Sequence, residues 1–153
     1  MDSKDRKILT LLQQNALYSA AEIAEQIGLS TTPCWRRIQK LEQQGYIKSR
    51  VALLDHRKMN VGTTVFVQVR TSRHAGDWLQ RFADAVQEMP EIVEAHRLSG
   101  DTDYLLRIVV PDIAEYDRVY KRLIQKLDFL DISSSFAMEE IKSTTAVPVE
   151  HAL

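Results

Sequence analysis

Residues Ile23–Glu42 read IAEQIGLSTTPCWRRIQKLE, and they predict two helices joined by a short turn. Ser19 and Glu22 have the spacing of a capping box, in which each side chain binds a free backbone N–H of the other residue. Gly28 can adopt the left-handed conformation that ends a helix, because it has no Cβ atom, and Ser30 can cap the helix that follows. The stretch therefore predicts a helix-turn-helix.

The second helix of this pair has an apolar face and a basic face. Cys34, Ile38 and Leu41 recur at the spacing i, i+4, i+7, so we expect them to be buried. The opposite face mixes hydroxyls, an aromatic ring and cations, which suits the phosphate-lined groove of DNA. A solvated face on a small helical domain is the alternative, but the glycine turn and the basic second helix together favour DNA. The DNA-binding residues predicted here are Ser30, Thr31, Thr32, Trp35, Arg36, Arg37 and Lys40.

The helix-turn-helix is flanked by two further predicted elements. Residues Asp2–Gln14 have apolar side chains at helical spacing and acids near the start, which favours a first helix. Residues Tyr46–Leu54, YIKSRVALL, are rich in β-forming residues, and we expect a strand or wing beside the DNA phosphates, with contacts from Lys48 and Arg50. A linking strand with solvated charges is an equally good interpretation.

The charge of the chain is unevenly distributed. The net charge of the 153 residues is −1, but residues 1–62 hold ten Lys and Arg against six Asp and Glu, whereas residues 63–153 hold ten against fifteen. The first part therefore carries +4 and the second −5. This asymmetry supports a DNA-binding head on an acidic body.

The second part of the chain predicts an α+β domain. Asp55–Gly62 is polar and without periodicity, and beyond it the pattern alternates between strands and amphipathic helices. The order βαββαβ is that of a ferredoxin-like fold. The predicted strands are Thr63–Thr71, Ile92–Leu98, Tyr104–Val110 and Ile132–Ile141, and the helices are Asp77–Met89 and one capped by Asp112 and Glu115. The predicted domains are a winged helix-turn-helix at 1–54, a hinge at 55–62, a ferredoxin-like domain at 63–142 and a tail at 143–153.

A ferredoxin-like sheet with helices on one face leaves its other face open. We expect Phe66, Leu106 or Phe136 on that open face, where they would form an interaction surface. A two-fold dimer would bury it and would also present two heads to the half-sites of an inverted repeat.

Other functional classes have weak support in the sequence. Its four histidines, His56, His74, His96 and His151, are scattered and have no metal-ligand spacing with one another or with Cys34. Nucleophile-elbow and phosphate-loop motifs do not occur. The sequence resembles neither a membrane span nor a secretory leader, so we expect a cytoplasmic protein without membrane contact. An enzyme, a metal site and a cofactor are therefore not predicted.

Three sequence segments resemble one known family. They are DSKDRKIL at Asp2–Leu9, GLSTTPCWRR at Gly28–Arg37 and SGDTDYLL at Ser99–Leu106, and they are arranged as a winged helix-turn-helix, a hinge and a βαββαβ domain. This combination looks like the Lrp/AsnC family of amino-acid-responsive regulators over essentially the whole chain. Trp35 stands where many members have leucine. The ending SSFAMEEIK at Ser134–Lys142 is similar to a subgroup that includes cysteine-responsive activators of cysteine detoxification.

The resemblance implies an effector site for a free amino acid between dimers of a larger ring. Asp101 or Asp103 could accept from the ammonium group, and loop N–H groups near Gly100 or serine hydroxyls could donate to the carboxylate. Without the resemblance, an ordinary tight hairpin followed by alternating strand serines would be the better interpretation. The effector-binding residues that the resemblance implies are Ser99, Gly100, Asp101, Asp103, Tyr104, Ser133, Ser134 and Ser135.

The sequence thus predicts a sequence-specific transcription regulator whose binding to double-stranded DNA, or whose assembly, responds to an amino acid of the cysteine, leucine or methionine type. We expect a homodimer that assembles further into a tetramer or octamer. Phosphate contacts would come mainly from the cations, and base contacts from Thr31, Thr32, Trp35 and one arginine. The alternatives are a low-specificity architectural DNA-binding protein and an amino-acid sensor module that acts on a protein partner.

Overall fold

The computed structural model describes residues 1–71 and 76–153 and divides into two compact units. The first unit comprises Met1–Leu53 together with Lys142–Leu153, and the second comprises Leu54–Ile141. The C-terminal tail, which was predicted to be a separate segment, therefore belongs to the same unit as Met1–Leu53. We call this first unit the head.

The first unit contains the predicted helix-turn-helix behind a first helix. Its helices are α1 (Ser3–Gln14), α2 (Ala20–Ile27) and α3 (Thr31–Gln43). One apolar cluster holds the three helices together, and its fully buried members include Ile8, Ile23 and Cys34. Cys34 behaves as the predicted small buried hydrophobe, and burial raises the pKa of its thiol.

Capping interactions explain where these helices begin and end. Capping boxes form between Asp2 and Asp5 at the start of α1 and between Ser19 and Glu22 at the start of α2. Gly28 ends α2 in the left-handed conformation, with φ 65°, as expected. These local interactions place α3 directly after a tight turn.

The segment Tyr46–Leu54 does not form the predicted strand. It has no regular secondary structure, and Val51, Leu53 and Leu54 are each about two-thirds exposed or more. A strand requires a neighbour for its N–H and C=O groups, and β propensity alone does not supply one. The prediction of a strand was therefore wrong for the single chain.

The second unit has the predicted βαββαβ order. Its described elements are β1 (Thr63–Arg70), α4 (Gly76–Gln87), β2 (Ile92–Arg97), β3 (Tyr104–Val110), α5 (Ile113–Lys126) and β4 (Asp131–Phe136). The strands form an antiparallel sheet in the order β2-β3-β1-β4. The ferredoxin-like fold is confirmed.

The core of the second unit lies between the sheet and its two helices. Val65, Val67 and Val69 of β1 alternate inward and are at most 1% exposed. Trp78 of α4 stacks on Phe82, with ring centroids 5.2 Å apart and an angle of 11° between the rings. The inward-facing residues of the strands and the apolar faces of the helices thus form one buried layer.

Two of the residues predicted on the open sheet face lie on the covered face instead. Leu106 is fully buried in the core, and Phe136 pairs with Val65 and meets the ring of Tyr116 edge-on. Phe66 is on the open face and is 39% exposed. The error arose because side-chain direction depends on register, and a shift of one residue exchanges the two faces.

Strand β4 is shorter than predicted and ends at Phe136. The Ala137 N–H still donates to the Thr64 carbonyl at 2.9 Å, but β1 begins at Thr63. When the register is continued from Val65 and Phe136, residues 139–141 lie beyond Thr63, the first residue of β1, and the prediction of a strand to Ile141 was wrong.

Candidate nucleic-acid interface and effector site

Helix α3 presents a polar and aromatic face opposite its buried stripe. Ser30, Thr31, Thr32, Trp35, Arg36 and Lys40 are exposed, and Trp35 keeps 53% of its surface accessible. Cys34, Ile38 and Leu41 are buried on the other side, as their spacing predicts. The exposed face therefore carries six of the residues predicted to bind DNA.

Arg37 differs from its neighbours because it is bound within the chain. Its Nη1 atom donates to Asp2 Oδ2 at 2.6 Å and to Asp5 Oδ1 at 2.7 Å. The Asp5 backbone N–H and the Arg37 guanidinium hold the pKa of Asp2 below its ordinary value, and the hydrogen bonds to Asp5 and Asp2 raise the pKa of Arg37. Arg37 therefore fastens α3 to the first turn of α1.

The other predicted cations fall into two groups. Arg50 Nη2 donates to Glu42 Oε1 at 2.8 Å, and its Nη1 donates to the carbonyl of Ala16 at 3.2 Å. Arg36, Lys40 and Lys48 form no ion pair with any residue in 1–71 or 76–153. These three cations are thus available to phosphates without first giving up an internal partner.

The side chain of Ser30 is placed differently from the expectation. Ser30 has the extended backbone of an N-cap, and its carbonyl accepts from the Cys34 N–H at 3.2 Å. Its hydroxyl makes no capping hydrogen bond to α3. The Ser30 side chain is therefore exposed and not used as a cap, and an exposed hydroxyl at a helix N-terminus is suited to binding a phosphate oxygen.

A cleft of about 840 Å³ lies beside the second half of α3. Arg36, Lys40 and Tyr46 line it on one side, and Asp2 and Asp5 are among its other lining residues. The lining carries three cations, Arg36, Arg37 and Lys40, against the two carboxylates of Asp2 and Asp5, so these side chains give the cleft a net charge of +1. A backbone phosphate fits this chemistry better than an apolar ligand.

The predicted effector loop is a tight connection between β2 and β3. Gly100 has φ 123°, a conformation that side chains rarely adopt, and apart from its two chain neighbours none of the described residues lies within 4 Å of the position a Cβ would take. The Asp103 carboxylate accepts from the Thr71 N–H at 2.8 Å, and the Asp103 N–H donates to the Val69 carbonyl at 3.0 Å. Asp103 therefore anchors the loop to the end of β1, while Asp101 is exposed.

Two predicted effector-binding residues are used inside the domain. Tyr104 is 5% exposed, and its ring centroid lies 4.5 Å from that of Phe82. The Ser134 hydroxyl is hydrogen-bonded to the Tyr116 hydroxyl on the covered face, and burial raises the pKa of Tyr116. Both side chains therefore have structural partners in the single chain.

The remaining serines lie on other surfaces. Ser133 pairs with Gln68 and Ser135 with Phe66, so both point to the open face, whereas Ser99 belongs to the loop. The eight residues that the resemblance implies thus do not form one cluster within one chain.

Sequence reasoning missed several residues that shape these surfaces. Asp2 and Asp5 were interpreted only as favourable charges at a helix start. A signal was present, since Arg37 is three residues after Cys34 and four before Leu41 and so borders the buried stripe. The bond between Tyr116 and Ser134 was also missed, because the sequence holds no signal for it.

Residues 1–71 and 76–153 were also compared with the requirements of a metal cluster and of a membrane-spanning helix. Within that part, no group of three or more His, Cys, Asp or Glu residues could hold a metal ion. His74 lies outside the described residues. Every helix of the described ranges is too short or too polar to cross a membrane.

Comparison with known families and proteins matches both parts of the chain. Residues 1–48 match a family model described as winged helix-turn-helix DNA-binding, and residues 64–147 match one described as the Lrp/AsnC ligand-binding domain. The chain is 46% identical over 151 residues to the DNA-binding transcriptional activator DecR of Escherichia coli strain K12, covering 98% of this chain and 99% of the relative.

Solved structures show the same fold over the full length. The structure of an AsnC family transcriptional regulator from Agrobacterium tumefaciens has a TM-score of 0.96 and 57% identity, covering all of both chains. A transcriptional regulator of Neisseria meningitidis in complex with L-Met has a TM-score of 0.94 and 36% identity, covering 100% of this chain and 99% of that chain.

Proposed function

The chain belongs to the Lrp/AsnC family of DNA-binding transcriptional regulators, and we propose that it binds specific DNA sites through α3 and changes that binding or its assembly when a small amino acid occupies its ligand-binding domain. It carries out this role in the cytoplasm without enzymatic activity. The observation that carries the proposal is the exposed face of α3, on which cations that form no ion pair with residues 1–71 or 76–153 lie beside hydroxyls and an indole ring.

The side chains of the head divide into phosphate-binding, base-reading and positioning groups. Arg36, Lys40 and Lys48 bind phosphates, which supplies most of the affinity and makes it dependent on salt. Thr31, Thr32 and Trp35 read base edges, because they lie at the N-terminal end of α3, the part of such a helix that enters the major groove. Arg37 positions α3 through Asp2 and Asp5, and Arg50 supports the helix through Glu42.

The active species is a homodimer or a larger ring of dimers. The open sheet face with Phe66 supports this proposal, since a partner would cover it, and two heads would double the contacts with an inverted repeat. An amino acid with equal affinity for two assembly states would shift neither, so the effector must bind one state more tightly.

The effector is a free α-amino acid, and the loop after β2 is its principal contact. The exposed Asp101 carboxylate accepts from the ammonium group, and the open space around Gly100 lets the effector carboxylate approach loop N–H groups. Ser133 and Ser135 can add contacts from the open face, whereas Tyr104 and Ser134 support the fold. Methionine, cysteine and leucine are the first candidates, and the Neisseria relative was solved with L-Met.

Fluorescence anisotropy tests this proposal. DNA from upstream of the gene and its neighbours is titrated with the full-length protein at fixed salt, alone and with each amino acid. We expect tight binding that resists competitor DNA and that one amino acid alters. The variant Asp101→Ala should keep the DNA affinity and lose the response, while Glu139→Ala, an exposed acid beyond β4, should keep both.

Other results would point to the alternatives. Equal affinity for all sequences would indicate an architectural DNA-binding protein. Absence of DNA binding under every condition would indicate a sensor module that acts on a protein partner.

A further inference from the structure

The last eight residues of the chain, 146–153, lie on the DNA-binding head, and we call them the C-terminal strap. Chain ends are usually disordered unless specific contacts hold them. The strap has such contacts at both of its ends, which distinguishes it from the exposed stretch at 138–145.

The first end of the strap is held by one side chain in a reciprocal arrangement. The Gln13 amide Nε2 donates to the Val147 carbonyl at 3.1 Å, and the Val147 N–H donates to Gln13 Oε1 at 2.7 Å. A glutamine that satisfies both backbone groups of one residue imitates a neighbouring strand and holds that residue in one register.

The second end of the strap contacts α1 and the segment that follows α3. Arg6 Nη2 of α1 donates to the Ala152 carbonyl at 3.2 Å, and the hydroxyl of Tyr46, which follows α3, donates to the Leu153 carbonyl at 2.7 Å. A turn closed by the Ala152 N–H and the Val149 carbonyl, 3.2 Å apart, precedes this end, and Val149 packs on the apolar core of the head.

These contacts join the two ends of α1 to the chain that leaves α3. Gln13 lies in the last turn of α1 and Arg6 near its start, whereas Tyr46 lies three residues beyond the end of α3. The first turn of α1 also carries Asp5, which binds Arg37. The strap therefore restrains the element that holds α3 in place.

We propose that the C-terminal strap contributes to DNA binding, because it fixes α1 against α3 and so keeps α3 in the position that binds DNA. The effect on DNA rests on the proposed function, but the restraint on α1 does not. The strap acts by positioning α1, because its hydrogen bonds are to Arg6, Gln13 and Tyr46. It does not occupy the cations proposed to bind phosphates, since Arg36 and Lys40 form no ion pair among the described residues.

Hydrogen exchange on the full-length protein tests the restraint directly. Removal of residues 146–153 should lower the protection of the α1 amides by about tenfold or more, because at least three hydrogen bonds and an apolar contact are lost. It should also weaken DNA binding several-fold. Exchange in β1 and β3 of the other unit should not change.

Point variants keep the test valid if the shortened chain fails to fold. Gln13→Ala should loosen α1, whereas Gln14→Ala, an exposed neighbour on the same helix, should not. Val149→Ala should loosen α1, whereas Val147→Ala should not, because Val147 is 66% exposed and uses only its backbone.

Two results would overturn the proposal. Unchanged exchange in α1 after removal of the strap would show that the strap rests passively on the head. Tighter DNA binding after its removal would show that it blocks the interface. If the wild-type protein binds no DNA, the proposed function fails, while the exchange measurement still decides whether the strap restrains α1.

Discussion

The Nη1 atom of Arg37 lies 2.7 Å from the Oδ1 atom of Asp5, so an arginine of α3 is bound to the first turn of another helix, α1. Its neighbour Arg36 forms no ion pair with the described residues. Two adjacent arginines of equal charge therefore have different roles, and variants of each can separate them.

Arg37→Ala should destabilise the head, and Arg36→Ala should not. Loss of the Arg37 guanidinium leaves Asp2 and Asp5 facing each other without a cation. We expect the midpoint of thermal unfolding, followed by circular dichroism, to fall by a few degrees for Arg37→Ala only. Arg37→Lys should recover only part of the loss, because the lysine side chain is shorter and its ammonium group must replace the single Nη1 atom that reaches both carboxylates. Equal midpoints for the two alanine variants would contradict this division.

The Asp2 carboxylate should make stability depend on pH in the acid range. The Asp5 N–H and Arg37 hold its pKa below the ordinary value of 3.8 in the folded chain. Its contribution is therefore complete above pH 3.8 and is lost as pH falls through the lower folded pKa. Asp2→Asn should lower the free energy of unfolding at pH 7, and the difference from wild type should shrink below pH 3.8. A difference for Asp2→Asn that is independent of pH would count against the ion pair.

The hydrogen bond between Tyr116 and Ser134 should stabilise the ligand-binding domain. Tyr116→Phe and Ser134→Ala each remove one partner from a partly buried pair, and each should cost about 1 kcal/mol of unfolding free energy. The double variant should cost less than the sum of the two, because the same bond is lost in all three. Ser133→Ala, which faces the other side of the sheet, serves as the control. Strict additivity in urea unfolding would show that the two hydroxyls are not coupled.

Gly100 should resist replacement for conformational reasons. Its φ of 123° strains any L side chain although space is available, so Gly100→Ala should lower the unfolding free energy by about 1 kcal/mol or more. Gly76→Ala is the matched control, since Gly76 begins α4 without a positive φ, and alanine favours a helix. Calorimetry on both variants measures the contrast. Equal stability of Gly100→Ala and wild type would show that the loop tolerates a side chain.

Local signals in the sequence predicted most of the fold. Ser19, Glu22 and Gly28 specify the helix boundaries through contacts within a few residues, and the structure contains each of these interactions. The alternation in β1 and the order of the elements can also be recognised from short stretches of sequence, and they predicted the ferredoxin-like domain. Features that depend on local geometry could thus be predicted.

Features that depend on distant partners could not be predicted in this way. The extent of β4 depends on its pairing with β1, and the segment at Tyr46–Leu54 has no neighbouring strand among the described residues. Register placed Leu106 and Phe136 on the covered face of the sheet. The bond between Arg37 and Asp5 spans 32 residues, so helical periodicity identifies the position of Arg37 on α3 but not its partner.

The salt dependence of DNA binding by Arg36→Ala tests the central claim most directly. Anisotropy titrations at several salt concentrations give the slope of log K against log salt, which reports the number of phosphates neutralised. If α3 binds DNA and Arg36 binds a phosphate, Arg36→Ala should weaken all specific sites alike and reduce the slope by about 1, while Lys121→Ala on α5 should leave it unchanged. An Arg36→Ala protein with the affinity and slope of the wild type would contradict the assignment of α3 as the DNA-binding surface.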